Sequence, residues 1–175
     1  RFPPAVLEET ADHIVERSPY GIVWRRLKGS PSTPQFLDHP VKRREDWTAL
    51  KERLAPARDR VDWPEAWRLH NRAREQGKYV AFVGFAGNST LEGLLGMERS
   101  LSLMLEDPAW YREMVETVSL LLEKTVEMLH EEGLRFDAVW LPNDMGYRNG
   151  TTFSPATYDA LLAPSDTRRN ACFHR

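Results

Sequence analysis

Cysteine is nearly absent from this sequence, and long apolar runs are missing. The only cysteine among 175 residues is Cys172, which excludes an internal disulfide framework and a multi-cysteine zinc site within the chain. No stretch approaches the roughly 18 to 20 consecutive apolar residues of a membrane-spanning helix, and the opening Arg-Phe-Pro-Pro lacks the apolar core of a signal peptide. We therefore expect a cytoplasmic protein with no membrane partner.

An excess of one charge is missing as well. Lys and Arg total 24 and Asp and Glu total 26, for a net charge of −2, and the two signs are interleaved, as between residues 42 and 60. Without a basic stripe to follow a phosphate backbone, nucleic acid is not an expected partner. The hydrophobic share of 41% and the charged share of 29% are typical of a folded globular chain.

Histidine is sparse and scattered. None of the five histidines stands at metal-ligand spacing from another histidine, from the cysteine or from a pair of carboxylates, so no metal site is predicted within these residues. The five are His13, His39, His70, His130 and His174.

The first third of the chain combines β-rich runs with a proline-rich stretch. Residues 11–28, "ADHIVERSPYGIVWRRLK", place two such runs around a Ser-Pro-Tyr-Gly turn, which predicts a hairpin. The three prolines of residues 29–41 disfavour both helix and central strand, so this stretch should run extended over the surface. Residues 44–54 and 64–77 then carry apolar residues at helical spacing. Asp62, two residues before Pro64, and Gly77 are the start and stop signals of the second helix.

Two buried strands are predicted in the second half of the chain. They are "YVAFVGFAG", residues 79–87, and "FDAVWL", residues 136–141, whose nearly continuous apolar character suits strands covered on both faces. Between them, one helix is expected to run to about Glu106, and Asp107-Pro108 starts a second, long one. This order predicts a right-handed βαβ unit with parallel strands, whose carboxyl ends share one rim where ligands bind.

Polar residues cluster at that rim after the second strand. Asn143 and Asp144 come first, and an ionised Asp144 is the candidate catalytic group because it would orient a substrate amine, a pyrrole N–H or a cation. The alternative is that Asp144 accepts backbone N–H groups in the turn before Gly146. Tyr147 and Arg148 add an aromatic face and a cation as candidate substrate-binding groups, or are solvated loop residues.

The loop after the first strand offers mostly neutral groups. Gly87 would let the backbone approach a ligand closely, and Asn88 would supply neutral hydrogen bonds; the alternative is a tight strand-to-helix turn. Ser154, before Pro155, is expected to cap its own helix rather than to act as a nucleophile.

Together these segments resemble a known family. "VGFAGNSTLEGLLGMER" and "FDAVWLPNDMGYRNGTTFSPATYDALLAP" are similar to the uroporphyrinogen decarboxylase superfamily, particularly its branch of corrinoid-dependent methyltransferases and O-demethylases. The Asp-x-Gly-x-x-x-Gly loop leading into Ser-Pro is the most specific part. Residues 9–41 also resemble the hairpin insertion of that branch. By the same likeness Glu98, in a Gly-x-Glu stretch, would face the cleft, the alternative being a solvated helix carboxylate.

The resemblance implies an α/β fold of the (β/α)₈ type with an N-terminal β-hairpin insertion. Since such a barrel needs about 250 residues, residues 1–175 would form one domain that is a partial barrel, the central segment of a longer chain. Residues 11–62 would be the hairpin and extended insertion, and residues 63–175 the βα units.

The resemblance also supplies the expected function. It implies an enzyme that moves a methyl group between a small methylated substrate and a corrinoid (cobalamin), held on a corrinoid carrier protein, with zinc bound through ligands outside this segment. One alternative is uroporphyrinogen decarboxylase, in porphyrin biosynthesis. The other is a non-catalytic barrel fragment that serves as a binding or dimerisation module, for example in a homodimer.

Overall fold

Four short strands near the start of the chain form an antiparallel sheet. The computed structural model, which describes residues 2–174, orders them β1-β2-β3-β4. Their bounds are β1 Ala5–Glu9, β2 His13–Arg17, β3 Val23–Leu27 and β4 Gln35–Asp38. Strands β2 and β3 are the predicted hairpin, with Val15 opposite Arg25.

The outer two strands were not expected. Strand β1 shows no alternation of buried and exposed residues, since the neighbouring residues Val6 and Leu7 are both mainly exposed. Strand β4 lies in the proline-rich stretch and is exposed along its whole length; it pairs with β3, where Phe36 packs edge-on against Trp24 at 6.2 Å between ring centroids. Both strands therefore depend on pairing with the hairpin rather than on a pattern of their own.

Seven α-helices of the described residues form most of the rest of the scaffold. They are α1 Arg44–Glu52, α2 Trp63–Glu75, α3 Gly87–Leu95, α4 Met97–Glu106, α5 Pro108–Glu131, α6 Pro155–Leu161 and α7 Ala163–Phe173. The single helix expected up to Glu106 is broken between α3 and α4, because Gly96 takes a φ of +83° that ends one helix and starts the next.

Three helix starts were predicted correctly. The side chains of Asp62, Asp107 and Ser154 each accept a hydrogen bond from the backbone N–H three residues on. A proline follows within the first two positions of each of these helices, where the missing N–H leaves no helical bond unmade.

The hydrophobic core lies between α1, α3, α4, α5 and α6. One stripe of the long helix α5 faces this core. The fully or nearly buried members of the core on α3 to α6 are Leu91, Leu94, Leu95, Leu103, Met104, Trp110, Tyr111, Met114, Val115, Val118 and Leu161.

The two predicted central strands do pair in parallel. They are β5 Ala81–Val83 and β6 Ala138–Trp140, with Phe82 opposite Val139. The pairing is extended at both ends, because the Asp137 N–H donates to the Val80 carbonyl at 2.8 Å and the Gly84 N–H donates to the Trp140 carbonyl at 3.2 Å. A small hairpin, β7 Gly146–Tyr147 with β8 Gly150–Thr151, follows β6.

The partial (β/α)₈ barrel predicted for the whole chain is wrong. Within residues 2–174 the fold is mixed α/β: the largest sheet is the antiparallel one, and the parallel sheet has two strands of three residues each. The chain before α1 forms the four antiparallel strands β1 to β4. The short connections between such strands cannot build a parallel sheet. The helices after it pack mainly on one another, around α5.

Only one face of the parallel pair is covered. A methyl group built on Gly84 would lie 2.8 Å from Leu122 of α5, so that side of the pair faces the helix. On the other side, which we call the open face, the side chains of Val83, Phe85 and Trp140 are 54%, 66% and 64% exposed. The prediction that both strands are covered on both faces is therefore also wrong.

No helix among residues 2–174 combines the length and the apolar character that crossing a membrane requires.

The start of the parallel pair is stabilised by the Asp137 carboxylate, and this contribution should depend on pH. The carboxylate accepts the Val80 N–H at 2.7 Å and two hydrogen bonds from the Arg74 guanidinium at 2.7 and 2.9 Å. These partners, the backbone N–H first, lower the pKa of Asp137 below its ordinary value of 3.8. A lowered pKa in the folded state stabilises the protein above the unfolded-state pKa, and the effect is lost as the pH falls through the folded-state value.

We expect Asp137→Asn to lower the midpoint of thermal unfolding at pH 7, with a deficit that shrinks below about pH 4. The matched control is Asp59→Asn, because Asp59 is exposed and has no hydrogen bond among the described residues. A deficit that is constant from pH 7 to pH 3 would contradict this account.

Candidate functional site

The loops that follow β5 and β6 meet and are bonded to each other. The Ser89 N–H donates to Asn143 Oδ1 at 3.0 Å, and the Asp144 N–H donates to Ser89 Oγ at 2.8 Å. A third bond runs from Asn88 Nδ2 to the Asp144 carbonyl at 3.3 Å. We call residues 87–92 and 143–144 the rim, because they lie at the carboxyl ends of the two parallel strands.

Glycine is required at the point where the two loops approach. Gly87 starts α3 with a φ of +62°, a conformation that is strained for any residue with a Cβ. A Cβ there would lie 2.9 Å from the side-chain nitrogen of Asn143. Gly87 was predicted to let the backbone approach a ligand closely. In the structure, the group that approaches Gly87 closely is the Asn143 side chain of the same chain.

Asn88 lies fully buried at the centre of the rim, with 0% of its surface exposed. Its Oδ1 accepts a hydrogen bond from the Tyr111 hydroxyl of α5 at 3.0 Å. Its Nδ2 donates to Glu92 Oε1 at 2.8 Å, as well as to the Asp144 carbonyl. A buried amide with partners for both of its ends is held in one orientation.

Glu92 is a candidate functional residue that sequence reasoning missed. It stands one helical turn after Asn88, so the two side chains lie on the same face of α3. The available signal was a single carboxylate within an otherwise apolar stretch, between Leu91 and Leu94, at this i, i+4 spacing from Asn88.

The ionisation of Glu92 is shifted by its surroundings. Partial burial raises the pKa of Glu92 above its ordinary value, the negative charge of Asp144 raises it further, and the hydrogen bond from Asn88 opposes both. Burial also raises the pKa of the Tyr111 hydroxyl, which therefore stays protonated and acts as a donor at neutral pH. Glu92 and Asp144 thus form a carboxylate pair, and the Glu92 carboxyl group holds its proton more tightly than an ordinary glutamate does.

Asp144 is held by its backbone while its side chain stays exposed. Both its N–H and its carbonyl are bonded across the rim, whereas its carboxylate makes no hydrogen bond to any residue within 2–174. The alternative considered above, an Asp144 carboxylate occupied by turn N–H groups, is therefore not what the structure contains. The carboxylate is available to a ligand.

The remaining predicted site residues are not drawn into the rim. Tyr147 and Arg148 lie on the β7–β8 hairpin and are exposed. Glu98 is exposed in the first turn of α4, past the Gly96 break, and within the described residues it has no hydrogen bond or ion pair. Of the sequence-predicted set, the structure brings together Gly87, Asn88, Asn143 and Asp144.

A cavity of about 460 Å³ lies away from the rim, along β6. It is bounded by residues 136–139, by Leu141, by His130 at the end of α5 and by three residues of the α7 end, among them Phe173. None of the predicted site residues lines it.

Within residues 2–174, no three His, Cys, Asp or Glu side chains are arranged to hold a metal ion. The rim instead contains the Glu92 carboxyl group, whose pKa is raised, and the exposed carboxylate of Asp144. The buried Asn88 amide is bonded to the Glu92 side chain and to the Asp144 backbone. Such a pair can donate a proton to one atom of a ligand and bind a positive or hydrogen-bond-donating group beside it.

Comparisons of the chain with protein-family models, with curated proteins and with solved structures gave no match.

The requirement for glycine at position 87 is testable against a matched control. Gly87 and Gly77 have nearly the same φ, +62° and +63°, but a Cβ on Gly77 would meet nothing within 4 Å. Both alanine substitutions should cost about 1 kcal/mol through backbone strain. Gly87→Ala should cost roughly 1 kcal/mol more, because Asn143 must move.

Urea unfolding measures the two losses, and the NMR signal of the Asn143 side-chain amide reports the displacement. We expect that signal to shift in Gly87→Ala only. Equal losses of stability with an unchanged Asn143 amide would show that the two loops are not in contact as described.

Proposed function

We propose that the rim binds a small methylated molecule and that the chain acts as a methyltransferase or demethylase, related to the uroporphyrinogen decarboxylase superfamily. The observation that carries the proposal is the Glu92–Asp144 carboxylate pair at the meeting point of two parallel strand ends. The reaction itself comes from the resemblance of residues 83–99 and 136–164 to the methyltransferase branch of that family.

The chemistry of demethylation suits a carboxyl group with a raised pKa. When a methyl group leaves an oxygen or nitrogen atom, that atom keeps the bonding electrons and needs a proton. Glu92 in its protonated form would supply this proton as a general acid. Asp144, in its ionised form, would orient a hydroxyl or amino group of the same substrate.

The methyl acceptor implied by the resemblance is a corrinoid. The residues described do not fit such a group: residues 84–92 and 142–150 contain no histidine to ligate cobalt, and Tyr147 and Arg148, the large side chains beside the rim, are exposed. We therefore place the corrinoid on a carrier protein and derive no step through it. The zinc ion implied by the resemblance would likewise need ligands outside this segment.

Porphyrinogen decarboxylation is the less favoured reaction. Several substrate carboxylates would require several cationic partners, yet Arg148 is the only Lys or Arg in residues 84–92 and 142–150.

The proposal predicts that Glu92→Gln abolishes most of the methyl transfer. Glutamine keeps the hydrogen bond to Asn88 but has no acidic proton, so kcat should fall by roughly a hundredfold or more. The assay follows methylcobalamin by absorbance after adding cob(I)alamin and methoxylated aromatic donors. Glu98→Gln is the control, because Glu98 is an exposed carboxylate on the next helix, and it should keep the full rate.

The pH dependence provides a sharper criterion. Since the protonated form of Glu92 is the active one, the rate should fall as the pH rises through its pKa. Asp144→Asn removes a charge that raises this pKa, so the falling limb should move to lower pH. The absence of methyl transfer with any such donor would refute the proposal. A pH–rate profile whose falling limb does not move in Asp144→Asn would refute the interaction of Asp144 with Glu92.

A second candidate function is self-association through the open face. Exposed apolar patches on a folded chain mark surfaces that bind another protein, and Val83, Phe85 and Trp140 lie on the uncovered side of a parallel pair, a type of sheet that is normally covered on both faces.

If the open face mediates a homodimer, Trp140→Lys should shift the protein to monomer, because the lysine charge would have to be buried. Sedimentation equilibrium measures the change. Tyr20→Lys is the control, since Tyr20 is 66% exposed and lies in the turn between β2 and β3. A wild-type protein that is monomeric at every concentration would eliminate this candidate.

A further inference from the structure

A line of polar groups runs from the hydrophobic core to the rim. Tyr111, near the start of the buried stripe of α5, has 0% of its surface exposed and donates its hydroxyl proton to Asn88 Oδ1 at 3.0 Å. Asn88 in turn donates to Glu92 at 2.8 Å. The line connects the core face of α5 with the half-buried carboxyl group of α3.

The orientation of the Asn88 amide determines which of its two ends faces the rim and which faces the core. Towards the rim it faces two oxygen atoms, Glu92 Oε1 and the Asp144 carbonyl, so its NH₂ group must point there. Its own oxygen then points into the core, where water is excluded and an unbonded acceptor would be costly. The Tyr111 hydroxyl is the donor that removes this cost.

Tyrosine is otherwise an unexpected residue in this position. The neighbouring members of the stripe, Met114, Val115 and Val118, are purely apolar, and a phenylalanine would fill the same space. What the hydroxyl adds is one bond to Asn88, and in a chain of hydrogen bonds each donor strengthens the next.

We propose that Tyr111 is a positioning residue: through the Asn88 amide, its buried hydroxyl holds the Glu92 carboxyl group at the rim and favours its ionised form. The role of Glu92 as a proton donor rests on the function proposed above. The geometry of the Tyr111–Asn88–Glu92 line does not.

Few other groups act on Glu92. Asp144 faces it from the segment after β6, and Tyr111 faces it from α5 through Asn88. His39, from the segment after β4, contacts the same helix at the Gly93 carbonyl. Ser100 of α4 is fully buried. Its hydroxyl acts on Tyr111, lowering the pKa, although within residues 2–174 it makes no hydrogen bond of standard geometry.

The test is an NMR titration of the Glu92 side chain. With glutamate labelled at its carboxyl carbon, Glu92→Gln assigns the Glu92 signal by its disappearance. We expect Tyr111→Phe to move the midpoint upwards by a few tenths of a unit to about one unit, since it weakens the bond that favours the carboxylate. The control Tyr158→Phe also removes a partly buried tyrosine hydroxyl, one bonded to Asp166, and should leave the midpoint unchanged.

A double variant separates positioning from a general loss of packing. Asn88→Leu removes the link at similar volume and should raise the Glu92 midpoint by about one unit or more. In that background Tyr111→Phe should have no further effect, because its route to Glu92 is gone. Additive effects, or an unmoved midpoint in Tyr111→Phe alone, would overturn the proposal.

The readout distinguishes this inference from the proposed reaction. The midpoint is measured without substrate, so a protein that fails to transfer methyl groups can still show the predicted shifts. Should Tyr111→Phe not fold, Tyr111→Met replaces it in the same titration, because methionine also fills a buried position of this stripe at Met114: an upward shift supports the line, and no shift overturns it.

Discussion

The loops after β5 and β6 are joined by three hydrogen bonds, each between a side chain of one loop and the backbone of the other. Two strands of three residues would fix little alone, since isolated short pairs are marginally stable. The side-chain bonds continue the pairing past the point where the ladder ends. Because they engage the N–H and the carbonyl of Asp144 but not its carboxylate, they anchor this residue and leave its charge exposed. The geometry of Glu92 relative to Asp144 follows from that anchor.

Opposing effects set the ionisation of Glu92 in this arrangement. Burial and the charge of Asp144 favour the protonated form, and the Asn88 amide favours the ionised form. Carboxyl groups with shifted pKa values are more frequent at functional sites than elsewhere on a protein. The core contributes to the balance as well, because Asn88 is bonded to Tyr111 within the same hydrophobic cluster that packs α3 against α5.

Local signals in the sequence predicted local structure well. Asp62, Asp107 and Ser154 were recognised as caps because a cap depends only on the next three residues. The parallel pairing of residues 81–83 with 138–140 also followed, since strand, helices and strand in that order leave few alternatives. The barrel did not follow, because an apolar run such as residues 79–87 does not reveal whether its second face is covered. Glu92 and the Tyr111 hydroxyl were overlooked for a related reason: each stands in an apolar pattern, and only the fold places Asn88 between them.

Helix α3 has a second attachment besides the rim. Directly after Glu92, the Gly93 carbonyl contacts His39 Nδ1 at 2.9 Å, and the Leu94 carbonyl accepts the Val41 N–H at 3.0 Å. Both partners lie within three residues of the end of β4, the last strand of the antiparallel sheet. The antiparallel sheet is therefore attached to the helix that carries Asn88 and Glu92, so a displacement of β4 would also displace these two side chains. The antiparallel sheet, although it is separate from the parallel pair, thus helps to hold helix α3 in place.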